Sequence, residues 1–167
     1  MPLSKPTALT EAVERATFTS GDDPLDSWLR HHALEHQQDR TTNTFVILDR
    51  TGAEGERIAG FYCLATAAVE RIPGSRRRAR RPTEPVPAMF VGRLAVDLRY
   101  TGRGVGARLV RDAVMRSLTV HRMVGLPLLL AHAPHSAGRA FYRHLGFHPA
   151  RFDSSLHALP LRAAGPG

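Results

Sequence analysis

Val91-Gly92-Arg93-Leu94-Ala95-Val96-Asp97, continued by Tyr100-Thr101-Gly102-Arg103-Gly104-Val105-Gly106-Ala107, sets the architecture of this chain. An apolar, β-branched run predicts a strand over 88–98. Glycines at 102, 104 and 106 interrupt it, and Val110, Ala113, Val114 and Leu118 then recur at helical spacing. A strand, a glycine loop and a helix in that order form a device for holding anions. Glycine lets backbone approach a ligand closely. The first turn of a helix aims unpaired N–H groups and a partial positive charge at whatever lies before it. A nucleotide-binding P-loop would need G-x-x-x-x-G-K-[ST], and no lysine stands here. A dinucleotide fingerprint can be traced through Gly102, Gly104 and Ala107. It requires an acidic residue closing the next strand, which instead ends Ala131-His132-Ala133. A plain glycine-rich turn is the remaining structural reading of this segment.

Outward from this unit, residues 1–17 read as a variable lead-in. Asp23 is placed to cap a helix, with Pro24 first inside it and Asp26 where a carboxylate can reach back. Leu25, Trp28, Leu29 and Ala33 give that helix an apolar face; Arg30, His31 and His36 lie opposite. Strands are predicted over 44–49 and 58–69, the second with Gly60 near its start, around a turn holding Gly52 and Gly55. Residues 70–87 carry Arg71, Arg76, Arg77, Arg78, Arg80 and Arg81 with four prolines and no apolar period, so they read as a long basic loop. Beyond the glycine unit, a buried strand is expected over 126–131, a short helix over 136–145 stopped by Gly146, and a weaker strand over 152–161. The order predicts an α+β fold, a mixed twisted sheet flanked by helices, as a single domain over 1–167.

Composition narrows the function. The 167 residues are 43% hydrophobic, enough for a core. Apolar runs are too short to span a bilayer, the N-terminus lacks the apolar centre of a signal peptide, and Cys63 is the only cysteine. A reducing cytoplasm, with no membrane, is therefore the expected compartment. Net charge is +8, and all but one of the 23 basic residues are arginine, Lys5 being the exception. Such a surface suits a polyanion or a phosphorylated cofactor, the alternative being solvated charge that keeps the chain soluble. The nine histidines show no metal-ligand spacing, so no metal is expected. Cys63 reads as a core residue, His31 and His32 as helix surface, and His132 as a strand end with a structural role.

A second constellation is Arg139-Ala140-Phe141-Tyr142-Arg143-His144-Leu145-Gly146-Phe147. With the glycine unit it resembles the GNAT N-acetyltransferases. Gly104 and Gly106 match the small positions of that family's motif A, [QR]-x-x-G-x-[GA], with Thr101 standing at the Gln/Arg position. A second register would set Arg99 there, with Gly102 and Gly104 after it, but it displaces the helix start. The later stretch matches motif B, A-x-x-F-Y-x-x-x-G-F, whose tyrosine is Tyr142. The likeness is closer still to the GNAT toxins of type II toxin–antitoxin modules, the TacT-like group. Ser20-Gly21, Leu25-Asp26-Ser27-Trp28-Leu29, Gly60 to Thr66, Pro85-Val86-Pro87, Arg93 to Asp97, His132-Ala133 and Arg139 to Phe147 carry it, from about residue 20 to 148.

What the resemblance implies is an acetyl-CoA-dependent enzyme that acetylates the α-amine of aminoacyl-tRNA and blocks translation. It also implies a ribbon-helix-helix antitoxin and a homodimer. The amides of Thr101, Gly102, Arg103, Gly104, Val105 and Gly106 would hold the CoA pyrophosphate. Those of Leu94, Ala95 and Val96 would face the reacting carbonyl, if the strand is bulged there. Tyr142 would serve as general acid. Arg76, Arg77, Arg78, Arg80, Arg81 and Arg93, with the helix bearing Arg30, would meet tRNA phosphates. An α-amine with a pKa near 7.7–8.0 is partly neutral at cellular pH, so no strong protein base is needed. Two alternatives remain open: an enzyme acetylating a small amine or a protein N-terminus, and a non-catalytic binding module of the same fold.

Overall fold

The computed structural model describes residues 3–52, 55–69, 85–151 and 153–161. The order is β1 (Thr7–Ala8), α1 (Asp23–His31), α2 (Ala33–Gln38), β2 (Asn43–Asp49), β3 (Arg57–Val69), β4 (Val86–Val96), a 3-10 turn (Leu98–Tyr100), α3 (Val105–Val124), β5 (Leu128–His132), α4 (Ser136–His144), β6 (His148–Pro149) and β7 (Leu156–Pro160). Among the described residues, seven strands hydrogen-bond in the order β1-β2-β3-β4-β5-β7-β6. Among the described pairings, β4–β5 is parallel and the others are antiparallel. The expected mixed sheet with helices is thus present. The chain divides into two compact units, residues 1–65 with 92–113 and residues 66–91 with 114–167.

In the first unit, β2 carries the run Phe45 to Leu48 and β3 the run Ile58 to Leu64 without a charged residue, and Val46, Ile47, Ala59, Phe61 and Tyr62 are fully buried. Unbroken apolar runs are what strands covered on both faces require. Leu9, Val13, Phe18, Trp28, Leu29 and Ala33 complete this core. The N-terminal segment is therefore more than a lead-in. Thr7 and Ala8 pair with Val46 and Phe45, Leu3 bridges Asp49, and Leu9 and Phe18 are buried. A two-residue edge strand leaves no period to read.

The helix cap is one residue earlier than expected. Asp22, in extended conformation, accepts the Leu25 N–H, so Pro24 is the second helical residue. Asp26 does not reach back to residue 23. It is 2% exposed and accepts both the backbone N–H and the hydroxyl of Ser20. The single expected helix is broken at His32 (φ −126°) into α1 and α2.

In the second unit, Val69, Ala88 and Leu130 form a core backed by Val86, Phe90, Leu128 and Ala158. Gly146 (φ +96°) ends α4, its N–H on the Arg143 carbonyl, as a left-handed stop requires. The last strand is shorter than 152–161. Asp153 accepts from the Ser155 N–H and hydroxyl in a turn that delays β7 to Leu156. Among the described residues, no helix is long and apolar enough to cross a membrane.

Candidate functional site

The site is built on the end of β4. The described β4–β5 ladder runs from Ala88↔Leu128 to Val91↔Ala131 and ends there. Beyond it, Asp97 closes the strand with several fixed bonds. Its backbone N–H donates to the Ala59 carbonyl on β3. Its fully buried carboxylate accepts from the Thr19 N–H at 3.0 Å, and from the backbone N–H, Nε and a terminal nitrogen of Arg99. Burial pushes this carboxyl up, but the hydrogen bonds from Arg99 and Thr19 outweigh it and hold the pKa below the ordinary aspartate value. The described β2–β3 ladder carries a register shift between Ile47 and Leu48 of β2, opposite Gly60 and Ile58, which leaves Ala59 in the extra position.

Three residues on, Tyr100 is buried and donates its hydroxyl to Asp49. A hydrogen bond from the Thr51 hydroxyl, with those from Tyr100 and the Thr51 N–H, lowers the Asp49 carboxyl to about 2. The chain then rises into an exposed loop, Thr101 to Gly104. Gly102 (φ +79°) and Gly104 (φ +76°) both adopt left-handed backbone, which side chains disfavour. The Gly104 carbonyl accepts from the Arg108 N–H, so α3 starts on a residue with no side-chain cap. The N–H groups of its first turn, at Val105, Gly106 and Ala107, precede any helical carbonyl partner. Arg103, whose guanidinium sits 5.3 Å from the Tyr100 ring centroid, adds a full positive charge. The loop therefore presents donors and a cation between two pinned ends. That donor set fits the diphosphate of acetyl-CoA, by the same physics that seats phosphates at helix N-termini.

The expected residues fall into three groups. Leu94, Ala95, Val96, Thr101, Gly102, Arg103, Gly104, Val105 and Gly106 all lie in the first unit on this strand, loop and helix. Arg99, at the Gln/Arg position of the second register, is bound to Asp97 and to the Thr17 carbonyl. Arg93 joins this unit but is half-buried, its guanidinium 4.3 Å above the Trp28 ring. Arg30 spends one nitrogen on the Phe18 carbonyl. Tyr142 belongs to the second unit, on α4, 4% exposed and packed against Phe141 and Phe147. Its carbonyl accepts the Phe147 N–H, which ties the helix to the chain after Gly146. Arg76, Arg77, Arg78, Arg80 and Arg81 lie outside the described residues.

Other readings resolve plainly. Cys63 is buried and its thiol is pushed up by desolvation, against the pull of the nearby Arg93, so it is poorly ionised. His31 and His32 are exposed, as is His132 at the end of β5. What sequence reasoning overlooked is the anchoring role of Asp97, signalled only by an acidic residue closing an apolar strand. It also overlooked His157, which is fully buried on β7 with neither ring nitrogen hydrogen-bonded.

A family model for the acetyltransferase (GNAT) domain matches residues 40–149. Over 158 residues the chain is 37% identical to the "tRNA-acetylating toxin" of Mycobacterium tuberculosis (strain ATCC 25618 / H37Rv), covering 95% of this chain and 92% of that protein. A solved structure of AtaT complexed with acetyl-methionyl-tRNAfMet superposes with a TM-score of 0.86 at 23% identity, covering 97% of this chain and 96% of that one. A mutant AtaT toxin bound to the C-terminus of the antitoxin AtaR and acetyl-CoA gives 0.82 at 22%, over 98% and 96% of the two chains. Match, relative and fold agree with the loop geometry: this chain belongs to the GNAT acetyltransferase family.

Proposed function

We propose that this acetyltransferase uses acetyl-CoA to acetylate the α-amine of aminoacyl-tRNA and so inhibits translation. The observation that carries this reading is the 37% identity, along 95% of the chain, to a tRNA-acetylating toxin. Acetyl-CoA, when bound, supplies an acetyl group activated as a thioester. The amides from Thr101 to Gly106 hold its diphosphate, and Leu94, Ala95 and Val96 offer backbone groups to the acetyl carbonyl. The Tyr142 hydroxyl gives a proton to the departing sulfur. The α-amine of an aminoacyl ester enters partly unprotonated, so these residues position and discharge rather than deprotonate.

Arg76, Arg77, Arg78, Arg80 and Arg81 meet the phosphates of the tRNA, and the half-buried Arg93 adds a further positive charge on β4. The whole chain over 1–167 works as one acetyltransferase domain, as a homodimer in the cytoplasm. A ribbon-helix-helix antitoxin neutralises it, its acidic tail drawn to a chain of net charge +8.

The test offers labelled acetyl-CoA and the purified chain to charged tRNA, deacylated tRNA, free amines and peptide N-termini. Label should enter charged tRNA alone and leave with the amino acid under mild alkali. Label on free amines or peptides, with none on charged tRNA, would favour an ordinary small-amine or N-terminal enzyme. Acetyl-CoA binding without any transfer would favour a binding module.

A further inference from the structure

Gly60 lies near the start of β3, and its backbone is not in the left-handed region. Its lack of a side chain is therefore not a conformational need. A Cβ at this position would lie 2.8 Å from Cγ1 of Val105, 3.0 Å from Cδ1 of Leu109 and 3.2 Å from the Ala95 carbonyl oxygen. Carbon atoms meet at about 3.5–4.0 Å, so the first of these approaches is too short by about 0.7 Å. None of the three neighbours yields easily. Val105 is 1% exposed and β-branched on a helix, where its rotamer is nearly fixed; Leu109 is fully buried; the Ala95 oxygen is backbone. A methyl here would push the first turn of α3 away from β3.

That turn is the one whose amides face the glycine loop, and the same short stretch of β3 also holds the loop's other end. Ala59, next to Gly60, accepts the Asp97 N–H where β4 finishes. β3 therefore seats the entry of the loop by a hydrogen bond and its exit by close packing. We propose that Gly60 is a positioning residue for the acetyl-CoA site: its bare Cα sets the distance at which Val105 and the α3 N-terminus stand, and so where the diphosphate-binding amides point. The inference rests on the assignment of that loop to acetyl-CoA.

The experiment is a double-mutant cycle on the full chain: Gly60→Ala, Val105→Ala and the pair, read by acetyl-CoA affinity in calorimetry and by KM for each substrate. Gly60→Ala should weaken acetyl-CoA about tenfold or more while the KM for charged tRNA stays within about twofold. In the Val105→Ala background, where the closest of the three contacts is gone, the same change should cost less than about threefold. Equal losses in both backgrounds, or a folded Gly60→Ala chain with wild-type affinity, would overturn the assignment. If Gly60→Ala alone does not fold, the comparison of Val105→Ala with the double variant decides, and a tenfold gap between those two refutes it. Amide hydrogen exchange at Arg108, whose N–H makes the first hydrogen bond of α3 to the Gly104 carbonyl, gives a readout without ligand. Faster exchange in Gly60→Ala supports the displacement even should acetyl-CoA prove not to be the ligand, and unchanged exchange contradicts it.

Discussion

Tyr142 is held by packing rather than by its position in the chain: Phe141 and Phe147 crowd its ring, and 4% of it is exposed. Removing the hydroxyl alone should leave that packing within about 1 kcal/mol of wild type. If the hydroxyl discharges the thiolate, Tyr142→Phe should lower single-turnover acetylation of charged tRNA by roughly 10²–10⁴ with acetyl-CoA binding retained. A few-fold loss would hand the proton to water. His157 supplies a second residue-level test. Burial without a partner, with Arg143 and Arg139 nearby, lowers its pKa below the ordinary 6.5. A base whose folded pKa is depressed binds its proton more readily when unfolded, so the fold loses stability as pH falls below about 6.5. Denaturant midpoints between about pH 7.5 and 5 should show that decline, and His157→Phe should flatten it. Of these two residues, the place of Tyr142 on a short helix was legible in the sequence because a motif surrounds it. His157 was not, since one histidine in a weak strand carries no sign of its burial.

At the scale of elements, the strand–loop–helix unit was readable because each part has its own physical mark: β-branched residues, glycines at 102 and 104 that take positive φ, and helical spacing after them. The helix of 23–38 was readable in kind but not in detail. Its cap moved to Asp22 because that residue has the extended backbone a cap needs, and its break at His32 follows no sequence breaker. β1 and β6, two residues each, exist only through their partners. The loop yields a direct test. Gly104→Asp forces a side chain into left-handed backbone and sets a negative charge at an anion-binding helix start. Acetyl-CoA binding should vanish in calorimetry while the chain stays folded; near-normal affinity would move the ligand elsewhere. The basic segment yields another. Replacing Arg76, Arg77, Arg78, Arg80 and Arg81 by alanine should flatten the log–log salt dependence of tRNA binding by about 0.7–0.9 for each phosphate that arginine no longer neutralises. Filter binding across a salt series measures it, and an unchanged slope would mark the segment as solvated charge only.

For the whole molecule, charge and fold point the same way. A chain of net charge +8 whose loop favours phosphate is suited to a charged, phosphate-rich substrate and to an acidic partner. The fold class was legible because the alternation of strands and helices survives in the apolar pattern. The pairing order β5-β7-β6 was not, because it depends on long-range pairing that leaves no local trace. The central claim is that the acceptor is the α-amine of an amino acid esterified to tRNA. Its most direct measurement is cell-free translation with the purified chain, with and without acetyl-CoA, followed by nuclease release and mass analysis of the 3′-terminal aminoacyl-adenosines. Translation should stop only when acetyl-CoA is present, and one or more aminoacyl-adenosines should be heavier by a single acetyl group on the α-amine. Arrest without that acetyl group, or unimpaired translation by a chain that acetylates other amines, would contradict it.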